Sequence, residues 1–187
     1  MENTLTKIRS LGLPESFLTK LTSLLLKETF PKGHILIKEG RIEKAIYFLE
    51  EGIARAFVQK EEKEVTFWFG AEGEILLSLN SYFAHKPGYE SIEMLEKSVV
   101  YKITHESLYD LYNNDIEFAN WGRRLAEYEF LKADQRFIDH QFKTAATRYE
   151  EFITANPSLL QRIQLGHIAS YLGISQVTLS RIRAEKN

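Results

Sequence analysis

Apolar residues recur at helical spacing over the first segment, at Leu5, Ile8, Leu11, Phe17, Leu18, Leu21, Leu24 and Leu25. Gly12 and Pro14 interrupt the stripe, which predicts two short helices between about Leu5 and Leu26, Pro14 opening the second. The period changes after Lys27. From Glu28 to Ile103 the chain becomes short β-rich runs, HILI, AIYFL, IARAFV, EVTFWF, SIEML and SVVYKI, punctuated by Gly33, Gly40, Gly52, Gly70 and Gly73. Runs of this length and spacing predict a compact all-β unit closed on itself. A βαβ alternation is absent, which argues against a parallel sheet.

Beyond Thr104, a candidate N-cap, the pattern turns helical again. It predicts a helix from Ser107 to Asn113 and a long one from Ile116 to about Phe142. A third runs from Thr144 to Asn156, where Pro157 pushes its predecessor out of helical geometry. In the long helix Phe118, Trp121, Leu125 and Tyr128 form a stripe that Leu131 and Ile138 continue less regularly. Arg123, Arg124, Glu127, Glu129, Lys132 and Asp134 take the other faces. The seam has two open readings: packing on the helix's own β-domain, or a dimer interface against a second copy.

The last thirty residues predict two helices around a turn, Leu165 to Leu172 and Gln176 to about Lys186. In QLGHIASYLGISQVTLSRIR, Ala169 is small where two helices would cross, and Gly173 supplies a left-handed residue at the first helix's end. Ile174 fills the elbow and Ser175 caps the second helix. Leu179 and Ile182 pack that helix back, leaving Gln176, Val177, Ser180, Arg181 and Arg183 outward. This is a helix-turn-helix layout, whose second helix enters the major groove of DNA. Arg181 presents a bidentate fork to guanine and Gln176 suits adenine or phosphate, with Thr178, Ser180 and Arg183 expected on phosphates.

Composition narrows the classes. The chain has 187 residues, 44% hydrophobic and 12% aromatic, which is globular rather than disordered. With no cysteine it has no disulfide, thiolate zinc or cysteine-ligated iron–sulfur chemistry. No apolar run approaches the roughly 20 residues of a membrane span. MENTLTKIRS lacks the layout of a secretory signal, so the cytoplasm is the expected location. His34, His85, His105, His140 and His167 lack metal-site spacing, leaving only a single haem-ligating histidine open. No phosphate loop, nucleophile elbow or paired-carboxylate motif appears, so no enzyme and no cofactor is expected. Net charge is −2, yet Pro157 to Asn187 holds Arg162, Arg181, Arg183 and Lys186 against Glu185 alone, or +3. That asymmetry points the tail, and not the body, at an anionic partner.

The whole chain resembles transcription regulators of the cyclic-AMP receptor protein/Fnr (Crp/Fnr) family. FPKGHILIKEGRIEKAIYFLEEGIARAFV carries the resemblance, with Lys32-Gly33, Glu39-Gly40, Tyr47-Phe48 and Gly52 at the family's spacing. GEILLSL from Gly73 is similar to the start of the phosphate-binding cassette, and GISQVTLSRIR to the recognition helix. The resemblance implies an α+β architecture: a β-roll with N-terminal helices over 1–115, a long dimerisation helix over 116–142, and a helix-turn-helix domain over 143–187. It implies double-stranded DNA, a second copy of the chain and RNA polymerase as partners, with no membrane. Gln176, Val177 and Arg181 fall where the family reads bases, and Phe118, Trp121, Leu125 and Tyr128 where it dimerises.

Two departures matter. Glu74 matches the cassette glutamate, but His85 to Ser91 has no arginine for a cyclic phosphate. Gly73, Glu74, Lys86 and Arg55 are thus the candidate effector set, and cyclic AMP in the usual mode is not expected, because lysine does not reproduce a guanidinium clamp. The chain also stops at Asn187, where many relatives continue into a β-hairpin wing, so no wing is expected. Two other functions stay open: a sensor module with a vestigial helix-turn-helix, and a constitutive DNA binder whose roll takes no effector.

Overall fold

The computed structural model describes residues 1–61, 63–155 and 157–184. Expectations resting on Glu62, Asn156, Glu185 and Lys186, the end of the last helix included, lie outside the described residues.

Strands β1 (Leu26–Phe30), β8 (Ser98–Thr104), β3 (Ala45–Glu51) and β6 (Ile75–Leu76) form one antiparallel sheet in that order. Strands β2 (Ile35–Ile37), β7 (Ser91–Met94), β4 (Ala54–Lys60) and β5 (Lys63–Gly70) form the second. β3 shows why AIYFL is an unbroken apolar run. Ala45, Tyr47 and Leu49 face the second sheet, while Ile46 and Phe48 face the helices, so the strand is buried on both sides. β1 escapes the sequence pattern because LKETF lies at a sheet edge with Leu26 exposed. The two-residue β6 and the short helix α3 (Leu79–Ala84), capped by Ser78, are also absent from the sequence reading.

Helices α1 (Glu2–Ser10), α2 (Glu15–Thr22), α4 (His105–Asn114) and α5 (Ile116–Phe142) cover the outer face of the first sheet. This settles the two readings of the long helix's stripe. Phe118, Trp121 and Leu125 are buried within the chain, and Tyr128 packs against the same core. Trp121 donates its indole N–H to the Ile8 carbonyl at 3.2 Å, and Phe118 meets Phe17 edge-on at 5.4 Å. Phe118, Trp121 and Leu125 therefore have no free surface to offer a dimer seam, and Tyr128 is only partly buried. The apolar positions that α5 leaves in solvent are Ile116 at its first residue and Phe130, Leu131, Phe137, Ile138 and Phe142 on its second half.

Helices α6 (Ala145–Ala155), α7 (Leu159–Arg162), α8 (Leu165–Leu172) and α9 (Gln176–Ala184) complete the chain. Their core is shared with the roll: Ile53, Phe69 and Leu95 pack with Tyr149, Phe152, Ile163, Ile168 and Leu172.

Candidate nucleic-acid interface and ligand pocket

The helix-turn-helix is built as its residues dictate. Gly173 takes φ +68°, and the Gly173 and Ile174 N–H groups donate to the Ser170 and Ala169 carbonyls at 3.1 and 3.0 Å. That double bond pattern closes α8. Ser175 Oγ accepts from the Thr178 N–H at 3.1 Å and opens α9. Ala169, Leu172 and Leu179 are buried between the two helices. Gln176, Val177, Thr178, Ser180, Arg181 and Arg183 are all exposed.

What holds this unit against the roll was not visible in the sequence. β5 is an edge strand, and its Thr66 N–H donates to Ser170 Oγ at 2.9 Å while Ser170 donates to the Glu64 carbonyl at 3.0 Å. One serine of α8 thus satisfies two backbone groups of an open sheet edge. Arg162 forms ion pairs with Glu72, at 2.6 Å, and with Glu96. Its charge, counted above with an anion-seeking tail, is consumed inside the molecule. Arg148 donates to the Leu172 carbonyl at 2.6 Å and to the Lys143 carbonyl at 3.1 Å, tying the end of α5 to the elbow. Burial, and then the Arg55 guanidinium, hold His167 of α8 below the usual histidine range.

The four candidate effector residues do not converge. Arg55 is buried on the face of β4 turned towards α8, ion-paired with Glu93 at 2.7 Å and with Glu64, and bonded to Thr66 at 3.2 Å. Strand alternation explains it: Ala56, the next residue, lines the pocket and Arg55 points the other way. Lys86 is exposed, and Glu74 is bound by Lys132 of α5 at 2.6 Å. Gly73, at φ +87°, turns the chain and donates its N–H to the Leu49 carbonyl at 2.8 Å. A cyclic phosphate finds no guanidinium from this set.

A pocket nevertheless exists between α5 and the second sheet, about 50 Å³ in volume. Ile75, Leu77, Leu79 and Ile92 contribute its apolar lining, and Phe67, Trp68 and Tyr89 its aromatic lining. Ala56 pairs with Trp68 and Phe57 with Thr66, so Phe67 is an extra residue in β5. That bulge lets two successive aromatics face one cavity, which regular alternation forbids. Glu90, Glu129 and Arg136 supply its charge. The missed residues Glu90 and Glu129 carried no signal in the sequence beyond being acids beside apolar neighbours.

Residues 27–115 match the family model of the cyclic nucleotide-binding domain. No curated protein matches the chain. The catabolite activator protein of Thermus thermophilus is 20% identical over 93% of this chain and 84% of its own, with TM-score 0.59. FixK2 from Bradyrhizobium japonicum is 18% identical over 86% and 83%, with TM-score 0.71. CooA from Carboxydothermus hydrogenoformans, as a double mutant, is 16% identical over 92% and 83%, with TM-score 0.68. The chain therefore shares the fold of these three proteins over most of its length. Among the described residues no helix is long and apolar enough to cross a membrane.

Proposed function

We propose that this protein is a DNA-binding transcription regulator that works as a homodimer and senses an effector in its β-roll. The observation that carries the reading is α9: a capped helix whose buried side holds the fold and whose outward side presents Gln176, Val177, Thr178, Ser180, Arg181 and Arg183 to solvent. A major groove accepts such a helix, and side chains of these types match base edges and phosphates. The fold it shares with a catabolite activator protein supports the same reading.

Homodimerisation rests on geometry. Two half-sites need two recognition helices about 34 Å apart, and one chain has one. Phe130 and Phe137, like Leu131 and Ile138, stand seven residues apart on the exposed side of α5, the repeat of a helical seam. We assign the dimer interface to them. Enriching random duplexes on the purified protein tests the function. Recovery of an inverted repeat with half-sites about one helical turn apart is expected, and recovery of no shared sequence overturns the reading.

A further inference from the structure

Glu90 is an acid with an unanswered oxygen. It is only 4% exposed, it lines the pocket, and its Oε2 has no hydrogen-bond partner. A buried carboxylate oxygen without a donor is costly, and native structures rarely leave one unexplained. Glu129 enters the same cavity from α5, and one of its oxygens accepts from Lys132 at 3.2 Å. Burial pushes the Glu129 carboxyl up, against the pull of Lys132.

Two acids from opposite walls, one with a free acceptor, form a site for an N–H donor that brings positive charge. The aromatic lining suits the same guest, because ring faces attract cations. Phe67 and Tyr89 stand 6.1 Å apart, beside Trp68. Arg136 is the cation among the lining residues and its field bears on Glu129 and Tyr89, yet Glu90 Oε2 keeps no hydrogen-bond partner.

We infer that the pocket takes a small organic cation, an ammonium or amidinium on a short apolar stem, with Glu90 accepting its N–H and Glu129 supplying the second carboxylate. The inference rests on the roll being the sensing half of a regulator, and names the effector's chemical class. The volume, about 50 Å³, holds roughly three to five water-sized groups, enough for a charged head and a short stem. Because Glu90 belongs to the roll and Glu129 to α5, a bound cation bridges the sensing sheet and the long helix. Binding thereby favours one placement of α5 over others.

Calorimetric titration of the full-length protein with ethylamine, propylamine and acetamidine, together with tryptophan fluorescence, tests the class. Saturable changes are expected below about 1 mM, with propanol and cyclic AMP at least about tenfold weaker. Glu90→Gln should weaken the amines at least about tenfold while melting at the same or a higher temperature, since it removes a buried charge. Should Glu90→Gln fail to fold, Glu129→Gln makes the same test from the α5 side. No saturable change by about 10 mM, unaltered amine affinity in the variant, or tighter binding of cyclic AMP each overturns the inference. A mobility shift on the selected duplex keeps the two readings apart. DNA binding without amine binding overturns the ligand class alone, and amine binding without DNA binding overturns the regulator alone.

Discussion

At the residue scale, Arg181 and Arg183 stand two positions apart on α9 and differ in what they are expected to reach. Arg181 lies on the outward face near the middle of the helix, where a bidentate fork meets a guanine edge. Arg181→Ala should weaken binding to the selected duplex by about 1–3 kcal/mol and relax preference at one base pair of each half-site. Repeating the duplex selection with the variant checks this, and an unchanged consensus assigns the base contact to another residue. Arg183→Ala should instead weaken all sequences alike and lower the salt slope by about one. Exposure of these side chains was legible in the sequence, because Leu179 and Ile182 fix which side of the helix turns inward. Arg162 was not. Nothing in the spacing of Arg162 reveals that Glu72 and Glu96, far back in the chain, stand opposite it. The same holds for Arg55: alternation leaves either face open, and its partners Glu64 and Glu93 come from other strands.

Elements were legible where one periodicity ran unopposed. The pattern places α5 and α8 at the bounds they adopt, and it puts Gly173 and Ser175 at the turn. It missed β1, β6, α3 and α7, because edge strands and single turns bury too few side chains to leave a period. The docking of α8 on β5 was hidden for another reason: it runs through backbone groups and one serine. That contact should be pH-sensitive. Burial pushes the Glu72 carboxyl up, but the Arg162 and Gly52 hydrogen bonds outweigh it and leave it below the usual range. A carboxylate with a lowered folded value stabilises above its unfolded value, near pH 4, and that contribution disappears as pH falls through the folded one. His167, also lowered, acts in the same direction: neutral when docked, it charges on release as pH falls below about 6.5. Acidification should therefore release the C-terminal helices from the roll before the first core melts. Hydrogen exchange of the Thr66 amide between about pH 7 and 4, corrected for intrinsic rate, should show its protection lost ahead of that of Ile46. Simultaneous loss at both sites refutes a separable docking. Arg162→Ala should lower the Thr66 protection by about 1 kcal/mol even at neutral pH, a modest value because both partners are partly solvated.

For the whole molecule, the division of α5 into two halves bears on where the proposed dimer would form. Its first half is spent inside the protomer: Trp121 is fully buried, and Leu125 lies against the helices of the N-terminal segment. A glutamate at Leu125 would place an unpaired charge in that core and unfold the chain, which says nothing about assembly. The second half carries Phe137 at 66% exposure and Leu131 at 64%, apolar area that a lone protomer leaves in water. A two-fold axis along this half sets each residue against its own copy, so one substitution acts twice. Leu131→Glu combined with Phe137→Glu should place like charges across the axis and split the dimer, while each protomer melts near the wild-type temperature because neither side chain packs in its own core. Sedimentation should then give a monomer, and operator affinity should fall towards the level of non-specific binding, since a single recognition helix reads only one half-site. Loss of the folded state in this variant would return the stripe to the protomer's own core. A wild-type protein that sediments as a monomer at micromolar concentration, with and without the selected duplex, would remove the dimer altogether and with it the need for two half-sites.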